Sequence, residues 1–134
     1  MLRAVRCRWT AMALTAVALA GCGSSGPTDE QQVARTVAAF GRATAHKDYA
    51  ALCNRILAPS LIQQVTQIGL PCEKALAKGL GHVRSPRLAI GAIRVDGDRA
   101  TAQVKTSAAN QAPSQDTLQL RRVDGTWRVA SLAG

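Results

Sequence analysis

The spacing of apolar residues changes at about residue 86, and this change limits the possible folds more than any other feature of the chain. Between residues 29 and 80, apolar side chains recur at helical spacing. From Arg87 onward they alternate with polar or small residues, a pattern typical of half-buried strands. Helices followed by strands predict an α+β domain in which three helices pack on one face of a four-stranded antiparallel sheet.

Capping residues and prolines divide the first half of the chain into helices. Thr28 or Asp29 can cap a long first helix. Asp48 is expected to cap a second, short helix, and Pro71 to open the third. Between these two, Pro59 starts a further turn or two of helix.

Two hairpins are predicted in the second half. A three-residue loop at Asp96–Asp98 would pair Ile90 with Val104 and Ala92 with Ala102, so that the apolar residues share one face. We prefer this loop, because a two-residue loop would place two arginines opposite each other.

The second hairpin is expected to turn at Asp124-Gly125, which pairs Leu120 with Val129. A polar loop at residues 107–114 is predicted to join the two hairpins.

The second hairpin also carries the charged residues of most interest. Arg122 falls opposite Trp127, where the two can stack and can also form the rim of a pocket. On the other face Arg121 falls opposite Arg128, and like charges in this position are unfavourable. We prefer to interpret this pair as part of an ordinary solvated face, and the alternative is a sheet face that meets an anionic surface.

The N-terminal residues have the parts of a secretion signal. Three arginines within the first eight residues precede an apolar run of about a dozen residues, too short to span a membrane. The run ends in Leu-Ala-Gly-Cys at residues 19–22, which resembles the consensus lipobox of bacterial lipoproteins. This resemblance implies cleavage before Cys22 and lipidation of its thiol, which would anchor the protein on the extracytoplasmic face of a cell membrane. The alternative is an ordinary cleaved signal with Cys22 present by chance.

The expected organisation is therefore a signal peptide at 1–21, a lipidated cysteine and flexible tether at 22–28, and one domain at 29–134. Without the signal, 14 basic and eight acidic residues remain, a formal charge of +6. This balance suits an anionic lipid surface or an envelope polyanion. Nucleic acid is not an expected partner, because the exported part has too few aromatic residues for base stacking.

Cys53 and Cys72 are the only cysteine pair left in the exported domain, and we expect them to form a disulfide. No histidine stands at ligand spacing from them, and they are not in a Cys-x-x-Cys arrangement. Neither a metal site nor a cofactor is predicted.

Two segments carry a resemblance to a known superfamily. These are His-Lys-Asp-Tyr-Ala-Ala-Leu at 46–52 and Leu-Arg-Arg-Val-Asp-Gly-Thr-Trp-Arg-Val-Ala at 120–130. With the long first helix, they resemble the NTF2-like, or SnoaL-like, superfamily over residues 29–132. The resemblance implies a curved sheet wrapped around the long helix as a cone whose cavity can bind a small molecule. Members include isomerases, cyclases, dehydratases and proteins without activity.

An enzyme of this kind needs a carboxylate or histidine aimed into the cone. We find no acid on the predicted inward strand faces, and Asp48 and Tyr49 are better explained as a helix cap and a core residue with a solvated hydroxyl. The histidines, His46 and His82, are expected at the surface.

The sequence therefore predicts a membrane-anchored exported lipoprotein whose domain is a non-catalytic binding or interaction module. A SnoaL-like enzyme acting on a small hydrophobic molecule is the alternative. Expected partners are membrane lipid through Cys22, a small hydrophobic ligand or an envelope protein, and a second copy through the open sheet face. The candidate pocket or surface residues are Tyr49, Arg121, Arg122, Trp127 and Arg128.

Overall fold

The structure, a computed structural model, describes residues 26–133. The predicted signal peptide, Cys22 and the first part of the tether lie outside these residues. The elements are α1 (Asp29–Ala45), α2 (Tyr49–Ala51) continuing into a π-helix (Leu52–Ile56), α3 (Pro59–Thr66), α4 (Cys72–Leu80), β1 (Arg87–Asp96), β2 (Arg99–Ala108), β3 (Gln111–Val123) and β4 (Thr126–Ala133).

A capping box fixes the start of α1. The backbone N–H of Gln31 donates to the Thr28 hydroxyl at 3.2 Å, and the Thr28 N–H donates to the Gln31 side chain at 3.0 Å. Val33 and Val37, four residues apart, are fully buried and place one stripe of α1 against the sheet.

The helical layer contains one more helix than predicted. Asp48 caps α2 as expected, accepting from the N–H of Ala51 at 2.9 Å. The segment from Pro59 to Thr66, predicted as a turn or two, is a helix in its own right. Proline at the first helical position favours such a start, because its missing N–H would have no partner there.

The disulfide between Cys53 and Cys72 is present, with the Cα atoms 6.0 Å apart. It joins the π-helix to the first residue of α4 and closes a sequence separation of 19 residues. The predicted disulfide is therefore confirmed.

The four strands form a meander in the order β1-β2-β3-β4. The second hairpin has the predicted register from Leu120 to the turn, and a bulge between Gln119 and Leu120 shifts the pairing beyond it. Leu120 pairs with Val129. The two turn residues, Asp124 and Gly125, have φ of 49° and 76°. Two consecutive positive φ values are what a tight two-residue hairpin turn requires, so the local sequence fixes the register.

The first hairpin differs from the prediction. Ile90 pairs with Val104 as expected, but Ala102 pairs with Ile93 rather than with Ala92. The turn contains two residues instead of three, and a bulge between Ile90 and Ile93 takes up the shift. Because the bulge adds a residue to one strand, the apolar side chains beyond it return to the inner face.

The predicted loop at residues 107–114 is largely strand. β2 continues to Ala108 and β3 begins at Gln111, so only a short turn separates them. The side chain of Asn110 holds this turn to the end of the helical layer, accepting from the Arg84 N–H and donating to the His82 carbonyl, each at 2.9 Å. These long-range contacts order a segment whose polar composition suggests a loop.

The core lies between the helices and the inner face of the sheet. Its most buried large side chains are Val33, Val37, Leu52, Leu57, Leu118, Leu120 and Val129. Along β2, buried Ala100, Ala102 and Val104 alternate with exposed residues, so one face of the sheet is covered and the other is open. Within residues 26–133, no helix is long and apolar enough to cross a membrane.

Candidate functional site

A cavity of about 620 Å³ lies between the helices and the inner face of the sheet. Residues such as Phe40, Leu61, Val65 and Leu76 line it from the helical side, and Leu88, Val104 and Leu118 line it from the sheet. Its volume falls within the range of small-molecule sites, which begins at about 300 Å³, and its wall is mainly apolar. The core therefore does not fill the space between the two layers.

Three polar side chains meet on the wall of this cavity near solvent, with Ser114 exposed and Thr106 and Asp116 half-buried. Asp116 Oδ2 accepts from Ser114 Oγ at 2.7 Å and lies 3.2 Å from Thr106 Oγ1. The two hydroxyl oxygens are 2.8 Å apart. Thr106 and Ser114 face each other across β2 and β3, and Asp116 is two residues further along the same face.

The number of hydroxyl protons limits how many hydrogen bonds can form within this cluster. Thr106 and Ser114 supply one proton each, so only two of the three short contacts are hydrogen bonds at any moment. The other carboxylate oxygen, Asp116 Oδ1, has no hydrogen-bond partner in the described part of the chain. The arrangement can accept a hydrogen bond from an N–H or O–H group of a bound molecule.

Asp116 corrects the prediction that no acid lies on the inward strand faces. The information was present in the sequence, because strand alternation puts residue 116 on the same side as Leu118 and Leu120. The predicted loop ended at Ser114, so the second hairpin was expected to begin near Asp116, where the facing of a side chain is least defined. Since β3 actually begins at Gln111, Asp116 lies inside the strand.

Two large apolar side chains line the cavity and also reach solvent. Ile68 is 61% exposed and Leu132 is 59% exposed, whereas the large apolar wall residues named above are buried or half-buried. Gln64 and Gln111 also contribute to the lining. This combination marks an apolar mouth with polar groups beside it, through which a small molecule could enter.

The predicted pocket residues lie elsewhere. Trp127 is 2% exposed, with the Arg122 guanidinium 4.7 Å from its ring centroid. Neither residue lines the cavity, and Trp127 instead forms part of an open groove between α1 and the π-helix. Tyr49 packs against the core, and its hydroxyl is buried without a partner among the described residues rather than solvated.

The register brings Arg121 and Arg128 together as predicted and adds a third arginine. Arg121 pairs with Arg128 on one side and with Arg99 on the other. Arg128 also donates to the backbone carbonyl of Asn54 at 3.4 Å. Arg99 could not be recognised from the second hairpin alone, because its place depends on the pairing of β2 with β3.

The acid and base candidates outside the cavity either cap a helix or lie exposed at the surface. Asp48 caps α2, and His46 and His82 are exposed. Over residues 26–133, no three side chains of the metal-ligating types come together.

Comparisons of the sequence with models of protein families and with curated proteins find no match. The structure is similar to two solved NTF2-like proteins of unknown function. The one from Shewanella baltica OS155 shares 14% sequence identity at a TM-score of 0.56, with 80% of this chain and 94% of that chain covered. The one from Silicibacter pomeroyi DSS-3 shares 20% identity at a TM-score of 0.54, with 75% of this chain and 89% of that chain covered. The four-stranded meander, the covering helices and these neighbours together show that the chain has an NTF2-like α+β fold.

Proposed function

We propose that this protein is an exported lipoprotein, anchored through Cys22 to the extracytoplasmic face of a cell membrane, whose domain binds one small, mainly apolar molecule without transforming it. The observation that carries the binding role is the 620 Å³ cavity with an apolar wall and one polar cluster. The lipobox resemblance at residues 19–22 supports the anchor.

The cavity explains how such a molecule would be held. Its apolar wall favours transfer of an apolar body from water at roughly 25 cal/mol per Å² of surface removed from water. Asp116 fixes the orientation, because a donor group on the molecule can bind its free oxygen. A hydrogen bond to a charged acceptor contributes about 1.5 to 3 kcal/mol, enough to select molecules that carry a donor.

The residues of the cavity favour binding over catalysis. Acid–base catalysis on a small molecule usually needs one group to remove a proton and another to stabilise or protonate the product. Among the described residues that line the cavity, Asp116 is the single carboxylate, and no histidine or tyrosine accompanies it. The SnoaL-like enzyme remains the second candidate, with Asp116 as its general base.

The binding role can be tested with a neutral fluorescent probe, N-phenyl-1-naphthylamine, which has an apolar body and one N–H donor. A chain starting at Gly23 retains every core residue, since these lie between Val33 and Val129. We expect the probe to gain fluorescence on binding this chain. We also expect an organic-solvent extract of the native protein to contain a co-purifying small molecule.

A matched pair of variants places the probe in the cavity. Leu76→Trp adds a large side chain to the cavity wall, whereas Ala77→Trp adds the same side chain to an exposed position of the same helix. We expect the first to weaken probe binding by at least about tenfold, or 1.4 kcal/mol, and the second to leave it unchanged. Equal affinities for the two variants would exclude the cavity as the binding site. Conversion of the co-purifying molecule by the pure protein would favour the enzyme.

The anchor is tested on the full chain. We expect the wild-type protein in the membrane fraction, with its N-terminal peptide heavier by the mass of the attached acyl chains, and Cys22→Ser without that modification. Recovery of the wild-type chain in the soluble fraction with an unmodified Cys22 would disprove the anchor and leave the cavity proposal standing.

A further inference from the structure

We propose that the outer face of the sheet binds anionic phospholipid headgroups, so that the anchored domain lies with this face on the membrane. The orientation rests on the proposed anchor, but the binding of anionic lipid does not, because it comes from the folded domain itself.

The outer face is strongly basic. Strand alternation places the exposed residues of β2 on this face, opposite the buried alanines and valine. The neighbouring outward residues of the other strands follow from the register. Apart from Arg87, the first residue of β1, which also borders the cavity, the charged residues of this face are Arg94, Asp96, Arg99, Lys105, Arg121 and Arg128, five basic and one acidic.

Three of these arginines form a row across the sheet. Arg99, Arg121 and Arg128 are direct partners on three successive strands, which are spaced about 4.8 Å apart. Like charges directly opposite each other destabilise a sheet. Arg99 and Arg121 are exposed, whereas Arg128 is half-buried, with its Nε covered and its Nη1 donating to Asn54. Closely spaced exposed guanidinium groups match a surface with many phosphates, since each can bind a phosphate through two N–H donors.

The described part of the chain does not neutralise this arginine row. Its ion pairs within 4.0 Å all involve Arg122, which lies on the inner face. Asp96 pairs with Arg99 in register, yet its carboxylate makes no ion pair within that distance. The positive charges of the row therefore repel one another, and an anion from outside the chain would relieve this repulsion.

The tether enters the domain at the same end as the arginine row. Asp29, the first residue of α1, forms an ion pair of 2.6 Å with Arg122, the sequence neighbour of Arg121. The backbone N–H of Arg122 donates to the carbonyl of Asp98 in the first hairpin turn. Six residues separate Cys22 from Asp29. At about 3.5 Å per extended residue, the lipid would lie within roughly 25 Å of this end.

A second copy of the chain is a poor partner for this face. A symmetric dimer through it would oppose five basic residues and one acidic residue with the same set, which is unfavourable without intervening anions. Anionic headgroups, in contrast, are attracted to such a surface. The charge of the face thus favours an anionic lipid partner over the homodimer expected from the sequence.

The test measures binding of the unlipidated chain from Gly23 to vesicles of phosphatidylcholine, with and without phosphatidylglycerol. We expect binding to the anionic vesicles that weakens as salt is raised, and none to phosphatidylcholine alone. Absence of binding to anionic vesicles, or equal binding to both kinds, would overturn the proposal whatever the state of Cys22.

Two triple variants distinguish the effect of the outer face on vesicle binding from the effect of total charge. Arg99→Gln/Arg121→Gln/Arg128→Gln removes the row, whereas Arg35→Gln/Arg42→Gln/Arg55→Gln removes three exposed charges that line the groove between α1 and the π-helix. At on the order of fivefold per charge, the first should weaken vesicle binding by about 100-fold.

The control variant should keep most of the binding, and both variants should keep the wild-type affinity for N-phenyl-1-naphthylamine, which shows that they are folded. Equal losses in the two variants would mean that binding follows net charge alone. If the wild-type chain is a dimer and the variant that removes the arginine row is a monomer, the face is an interface between copies. Either result would overturn the proposal.

Discussion

The guanidinium of Arg122 lies 4.7 Å from the centroid of the ring of Trp127, its direct partner across β3 and β4. The same guanidinium binds Asp29 at 2.6 Å. One side chain therefore covers a buried indole and joins the turn end of the sheet to the start of α1.

We expect Arg122→Ala to lower the free energy of unfolding by about 1 to 2 kcal/mol. The stacking contributes about 0.5 to 1 kcal/mol. The ion pair adds no more than about 1 kcal/mol, because its side chains are 31% and 46% exposed and solvent screens them. Urea unfolding measures the change. Arg121→Ala is the matched control, since its side chain points to the other face and its loss relieves like-charge repulsion. Equal destabilisation by both variants would contradict a specific role for Arg122.

Features set by neighbouring residues could be predicted from the sequence. The caps of α1 and α2 and the register of the second hairpin depend on residues within a few positions of each other, such as Asp124 and Gly125. The disulfide followed from a simple count of the cysteines outside the predicted signal and lipidation site. The fold class followed from the change in period, which needs no knowledge of pairing.

Features set by distant contacts could not be predicted in the same way. The bulge between Ile90 and Ile93 lets β1 match both the turn and the inner face of β2. Its one local signal is Gly91, since an isolated glycine inside a strand pattern is typical of a bulge, but the pairing with β2 decides where the shift falls. The extension of β2 and β3 depends on the contacts of Asn110 with the chain near His82. That extension puts Ser114 in a strand beside Thr106 and Asp116, so the wrongly predicted loop concealed the polar cluster of the site.

The disulfide should contribute strongly to stability. Closing a loop of about 20 residues is worth about 3 kcal/mol in the chain-entropy model. We therefore expect Cys53→Ala/Cys72→Ala to lower the free energy of unfolding by about that amount, measured in guanidinium chloride. The wild-type chain unfolded in the presence of a reductant should show a similar loss. A double variant as stable as the oxidised wild type would show that the disulfide does not stabilise the fold by lowering the entropy of the unfolded chain.

Two glycines should respond in opposite directions to the same substitution. Gly125 has φ of 76°, where an alanine side chain is strained, so Gly125→Ala should cost about 1 kcal/mol. Gly79 lies within α4 with no atom within 4 Å of an added Cβ, so Gly79→Ala should stabilise by about 0.5 to 1 kcal/mol. Thermal unfolding of the two variants gives the signs directly. A gain in stability for Gly125→Ala would show that the turn relaxes to another geometry.

Asp116 should contribute more to binding than to stability. Asp116→Leu removes the acceptor from the cavity, but Thr106 and Ser114 remain 2.8 Å apart and can hydrogen-bond to each other. We therefore expect the free energy of unfolding to stay within about 1 kcal/mol of the wild type or to rise, as often happens when a polar group is removed from a binding site.

The affinity of Asp116→Leu for N-phenyl-1-naphthylamine should fall by about tenfold or more, since the N–H donor of the probe loses its charged partner. Asp116→Asn keeps the shape of the side chain and a neutral acceptor oxygen, so its affinity should lie between those of the wild type and the leucine variant. If instead the leucine variant binds the probe as well as the wild type while Leu76→Trp does not, the molecule is held by the apolar wall alone. Specificity for a donor group would then have to be abandoned, although the cavity would remain the site.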